Sequence, residues 1–161
     1  MAKPARPKIP EMQARVNIAQ AVLDRFSGQP LDWTKNDCGK LAGMALRLAG
    51  ANPRMSRFAG YSNEIGARRK LKAAGFNDLP SVLDDLGLQR IPPLMILTGD
   101  IVGLPGEGGW TALGVAVGNR KVLMFATDGV CRAAELPPEV LDVTLAWRVK
   151  PRLTAPMKEA A

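Results

Sequence analysis

The stretch Trp33-Thr34-Lys35-Asn36-Asp37-Cys38-Gly39-Lys40, running on into Leu41-Ala42-Gly43-Met44-Ala45, decides how the rest of the chain is read. Turn-forming residues give way at Cys38 to small and apolar ones, which predicts a loop that delivers a cysteine to the first turn of a buried helix. Asn36 or Asp37 supplies the side-chain oxygen that caps this helix start. Unpaired N–H groups and partial positive charge at a helix start favour a thiolate, so Cys38 is a candidate nucleophile with a lowered pKa. The alternative is a small apolar residue in a well-capped core helix. Cys38, Ala42, Ala45 and Ala49 fall on one helical face as a stripe of small side chains, beside a large apolar stripe of Leu41, Met44 and Leu48. Such a helix is central and packs closely on a sheet. Gly50 and Pro53 end it.

The chain has 161 residues, enough for one domain with a hydrophobic core, and its 47% apolar and 23% charged residues are ordinary globular composition. No apolar run approaches the ~18 residues of a membrane span. Lys3, Arg6 and Lys8 are not followed by an apolar segment, so a cleavable secretory signal is not expected. The net charge of +7 is concentrated at the two ends. Residues 1–10 carry three bases and no acid, and residues 148–161 carry Arg148, Lys150, Arg152 and Lys158 against Glu159. Basic, proline-bearing tails on either side of a domain spanning 11–150 are expected to be solvated or to order against a neighbouring subunit, and nucleic-acid binding is not favoured. Cys38 and Cys131 make neither a disulfide framework nor a zinc site by themselves. No metal or cofactor is expected. The chain contains no histidine.

Helices are predicted over residues 11–26, 64–74 and 79–86 in addition to the one that starts at Cys38. Ser62 or Asn63 caps the helix over 64–74, and its basic run Arg68-Arg69-Lys70 with Lys72 reads as a solvated face. Beyond Pro92 the pattern changes to strands, at 99–104, 112–117, 121–126 and 144–149, with Gly118-Asn119-Arg120 as a tight turn. Helices followed by an antiparallel meander make an α+β domain. In the strand over 112–117, Leu113, Val115 and Val117 alternate with Ala112, Gly114 and Ala116. The bare face of that strand is expected to meet the small stripe of the Cys38 helix, bringing Ala112 towards Cys38.

The order Trp33…Asp37-Cys38-Gly39, then Gly99-Asp100-Ile101-Val102, then Leu113-Gly114-Val115-Ala116-Val117-Gly118 resembles the NlpC-type cell-wall peptidases, papain-like cysteine hydrolases of peptidoglycan stem peptides. The segment from Asn52-Pro53 through Tyr61 to Gly66-Ala67 and Ala73-Ala74-Gly75 looks like a compact phage and prophage branch of that fold. The resemblance implies a papain-like α+β domain with N-terminal helices packed on a C-terminal antiparallel sheet. It also implies that Cys38 matches the nucleophile and Asp100 the acidic residue at the start of the first strand. The family's histidine position falls on Ala112, and the residue that should orient it falls near Met124.

Neither Ala112 nor Met124 can serve a thiol. Cysteine attack on an amide requires a base for the thiol and an acid for the departing amine. Two readings follow. In the first, the chain is a structural component of a bacteriophage tail, at the tip or in tail assembly, built on a degenerate peptidase fold, made in the host cytoplasm and carried into the virion with other tail proteins as partners. In the second, it is a cell-wall hydrolase in which Cys38 acts on peptidoglycan with a base supplied by a partner or by Asp37 or Asp100, either of which would need a raised pKa.

Overall fold

The computed structural model describes residue 2 and residues 4–155. Four helices come first: α1 (Glu11–Phe26), α2 (Cys38–Leu48), α3 (Glu64–Ala73) and α4 (Leu79–Asp85). Five strands follow: β1 (Ile101–Pro105), β2 (Thr111–Gly118), β3 (Lys121–Phe125), β4 (Cys131–Glu135) and β5 (Leu145–Trp147). All pairings are antiparallel, in the spatial order β4-β3-β2-β1-β5. The chain is therefore α+β, with N-terminal helices and a C-terminal antiparallel sheet.

Local chemistry accounts for most element ends. Asp37, Asn63 and Asp78 cap α2, α3 and α4, each accepting a backbone N–H three residues on. The β2–β3 turn places Asn119 and Arg120 at φ 54° and 61°, the left-handed pair that matches the twist of a hairpin. Strand β4 has no counterpart among the predicted strands. Its first residue is buried and the next four are exposed, and Arg132-Ala133-Ala134-Glu135 lacks the β-branched alternation that marks a strand.

The main core joins Ile18, Val22 and Phe26 of α1 and Leu41, Ala42, Ala45 and Leu46 of α2 to Ile101, Leu113, Val115, Leu123 and Trp147 of the sheet. The bulky face of β2 therefore meets the helices, not its bare face as the alternation suggested. The correction follows from size matching: alanines on α2 leave room that Leu113 and Val115 fill, whereas two bare faces would leave a void. The bare residues serve the opposite side, where Ala116 packs with Val102 and Val122 in a second, smaller cluster. A Cβ on Gly114 would lie 2.6 Å from Val122 Cγ1 and 2.7 Å from the Leu123 carbonyl oxygen. Close packing against β3 thus explains its bareness.

Asp100, just before β1, is fully buried and joins three parts of the chain. Its Oδ1 accepts from Arg15 of α1 at 3.2 Å and from the Val149 N–H at 2.9 Å. Its Oδ2 accepts from the Leu97 N–H at 2.8 Å and lies 3.3 Å from Arg148 Nε. The inner parts of the two tails pair with each other, Lys8 with Thr154 in an antiparallel bridge and the Ile9 N–H with the Leu153 carbonyl at 3.2 Å, and the Arg152 N–H donates to the Ala49 carbonyl of the domain at 3.0 Å. Met1, Lys3 and residues 156–161, which include Lys158 and Glu159 of the predicted tails, lie outside the described residues.

Candidate functional site around Cys38

The loop before α2 is fixed by its own polar groups. Asp32 and Asn36 exchange backbone hydrogen bonds of 2.9 and 2.7 Å, and the Asp32 carboxylate accepts from the Thr34 N–H and hydroxyl. Asp37 then takes an extended conformation and caps α2 through Oδ1, which accepts from the Lys40 N–H at 2.9 Å. Of the two candidate caps, Asp37 is the one used.

The other oxygen of Asp37 anchors a partly buried polar cluster. Asp37 Oδ2 pairs with Lys40 Nζ and accepts from the Tyr61 hydroxyl at 2.6 Å. Lys40 Nζ also donates to Tyr61 Oη at 2.7 Å and to the Trp33 carbonyl at 3.2 Å. Trp33 and Tyr61 rings meet edge to face with centroids 6.4 Å apart. Burial, and then the hydrogen bond to Asp37 and its negative charge, push the Tyr61 hydroxyl well above its ordinary pKa. Tyr61 is thus a neutral donor to a charged carboxylate.

Cys38 opens α2 immediately beside this cluster, and the two cysteines are both free thiols. Burial pushes the Cys38 thiol up to about 11, and the Asp37 carboxylate adds to the rise. The Leu113 amide of β2 and the amides of Cys38 and Gly39 act in the opposite sense and do not overcome it. The lowered pKa expected from the helix start is therefore not found: at neutral pH Cys38 is a protonated thiol. The thiol borders a cavity of about 70 Å³. Its walls are almost entirely apolar, with Trp33, Phe58, Tyr61, Trp110 and Leu113 among them.

The remaining sequence candidates are dispersed. Ala112 follows Trp110 and Thr111 at the start of β2, next in the chain to the amide that reaches the thiol. Its register partner is Leu104, so its methyl shares the sheet face of Gly114, opposite to Leu113. Met124 lies in β3, opposite Arg132 of β4. The Asp100 carbonyl accepts from the Ala116 N–H, three residues along β2 from Leu113, roughly 10 Å at a strand's rise per residue. Its carboxylate is committed to Arg15 and Arg148, so the structure does not bring Asp100 to Cys38. Cys131 is buried at the start of β4, its thiol also pushed up to about 11 by burial.

Two residues of the cluster were given no role from sequence. Lys40 carries a readable signal, since it stands three residues after the capping aspartate on the same helical turn. Tyr61 carries none, because 24 residues separate it from Asp37 and only folding brings them together. The family described as "Domain of unknown function (DUF6950)" matches residues 8–149, nearly the whole of the described chain, and the chain belongs to that family. No curated protein matches the chain.

Proposed function

We propose that this protein is a non-hydrolytic structural component of a bacteriophage tail, at the tip or in tail assembly, that uses an NlpC-type, papain-like scaffold for its shape and contacts. On this reading it is made in the host cytoplasm and enters the virion with other tail proteins. The observation that carries the proposal is the state of the thiol. Cys38 stands where the resemblance puts the nucleophile, burial raises its pKa to about 11, and the two carboxylates offered as bases, Asp37 and Asp100, are both held by other partners. Asp37 Oδ2 is engaged by Lys40 and Tyr61, Asp100 belongs to an arginine cluster elsewhere, and the chain contains no histidine. Loss of one member of a catalytic thiol unit commonly costs several orders of magnitude in rate.

A second reading, a cysteine hydrolase of peptidoglycan completed by a partner's base, draws on one observation: the thiol borders a cavity walled by aromatic residues. One assay separates the two. Wild type and Cys38→Ala are incubated with purified cell-wall fragments and the soluble peptides are counted. The structural reading expects background release from both. Release by wild type that disappears in Cys38→Ala establishes the hydrolase instead.

A further inference from the structure

The outer sides of α1 and α2 form a valley whose charge is strongly one-sided. Two cavities, of about 850 and 440 Å³, lie end to end along it and share Arg25, Met44 and Arg47. Arg152 lines the first, Lys35 and Lys40 the second, and among the described residues the single acidic one lining either is Asp24. Lys40 is bound to Asp37, but among the described residues Arg25, Lys35, Arg47 and Arg152 have no carboxylate within ion-pair distance. Arg25, Lys35, Arg47 and Arg152 are all exposed, and together they give the valley a positive potential that favours an anionic partner.

Apolar side chains lie among those cations, Ile18 and Ala21 from α1, Met44 and Leu48 from α2, then Met55 further along, beside the polar Asn17, Gln20 and Thr154. We infer that this valley is the docking site for an acidic amphipathic segment of a protein partner, with aliphatic side chains on these apolar residues and carboxylates facing Arg25, Arg47, Arg152 and Lys35. The inference rests on the reading of the chain as an assembly component and names the surface through which it assembles. A protein segment fits better than a single-stranded nucleic acid, whose binding sites combine basic side chains with open aromatic faces for base stacking. The rings at the end of the valley are already used: Phe58 packs on Phe76, and Tyr61 on Trp33. From Asn17 to Arg25 the α1 side runs about 12 Å at a helical rise, the span of two turns of a partner helix.

The test measures fluorescence anisotropy of three labelled probes with the full chain: a peptide of about twelve residues with Glu and Leu at helical spacing, polyglutamate of equal length, and a thymidine oligonucleotide of equal charge. The expected order is amphipathic peptide tightest. Arg25→Glu with Arg47→Glu should weaken that peptide at least about tenfold, and a rise in salt should weaken it further. Arg69→Glu with Lys72→Glu, on α3 and outside both cavities, should change it less than about twofold. If the charge reversal fails to fold by circular dichroism, the Arg25→Gln, Arg47→Gln pair is measured in its place with the same expectation. The inference is overturned if the peptide does not bind, if polyglutamate or the oligonucleotide binds as tightly, or if the α3 pair weakens binding equally. The hydrolase reading predicts peptide release that requires Cys38 and not these arginines, so failure here and failure of the structural reading give separate signatures.

Discussion

At the scale of residues, Cys38 is a contest between two local effects. A helix start stabilises a nearby negative charge by about 0.3–1 kcal/mol. Each unit of pKa corresponds to about 1.4 kcal/mol, so a thiol raised from 9.0 to about 11 shows that burial outweighs the helix. Alkylation of Cys38 by iodoacetamide, followed on its own peptide by mass spectrometry, should therefore be slow at pH 7 and rise about tenfold per pH unit through pH 9 and 10. A rate that has already levelled off by pH 8 would contradict a thiol raised to about 11. Asp37 contributes to the rise through its charge, so Asp37→Asn should move the alkylation profile towards lower pH. The same substitution keeps a capping oxygen but removes the charge that holds Lys40 and Tyr61, costing about 1–2 kcal/mol of stability in urea unfolding.

At the scale of elements, the arrangement of α2 on the sheet depends on small side chains receiving large ones. Ala45 is fully buried in the same cluster as Leu113 and Val115. Ala45→Leu adds volume where the bulky face of β2 already fills the space, and should lower stability by ~1–3 kcal/mol. An unchanged unfolding midpoint would mean that this contact is looser than the packing shown here. The helix ends and the β2–β3 hairpin were readable because they depend on residues a few positions apart. Strand β4 was not, because it is an edge strand held by pairing with β3 and its composition resembles an exposed turn.

For the whole molecule, the Asp100 cluster ties α1, the start of β1 and the segment after β5 into one unit. Arg15 is 1% exposed and gives hydrogen bonds to Asp100, the Thr98 carbonyl and the Val149 carbonyl. Asp100→Ala removes its buried charge partner and should cost about 3–5 kcal/mol, read as a fall in the urea midpoint. Stability should also fall in alkali. Cys38, Cys131 and Tyr61 all have folded-state pKa values above their unfolded ones, so their contribution is complete below about pH 8.5. It is lost as pH rises through the folded-state values, near 11 for the two thiols. Between pH 8.5 and 11 the unfolding midpoint of Cys38→Ala should decline less steeply than that of wild type. Equal slopes would remove the Cys38 thiol from the account.

The sequence by itself determined that four helices precede an antiparallel sheet, that Asn36 or Asp37 caps the second helix, the turn at Asn119-Arg120 and the position of Cys38 at the head of a buried helix. Each of these is encoded within one or two turns of chain, where capping, periodicity and left-handed backbone positions act locally. Tertiary structure decided which face of β2 meets α2, that Asp37 is bound by Lys40 and Tyr61, and that Asp100 belongs to Arg15 and Arg148 instead of the thiol. It also decided the protonation of Cys38. Alternation along a strand states that two faces differ and leaves open which one the helices cover. Burial and charge pairing depend on residues tens of positions apart, and they take effect only when folding removes the water between them.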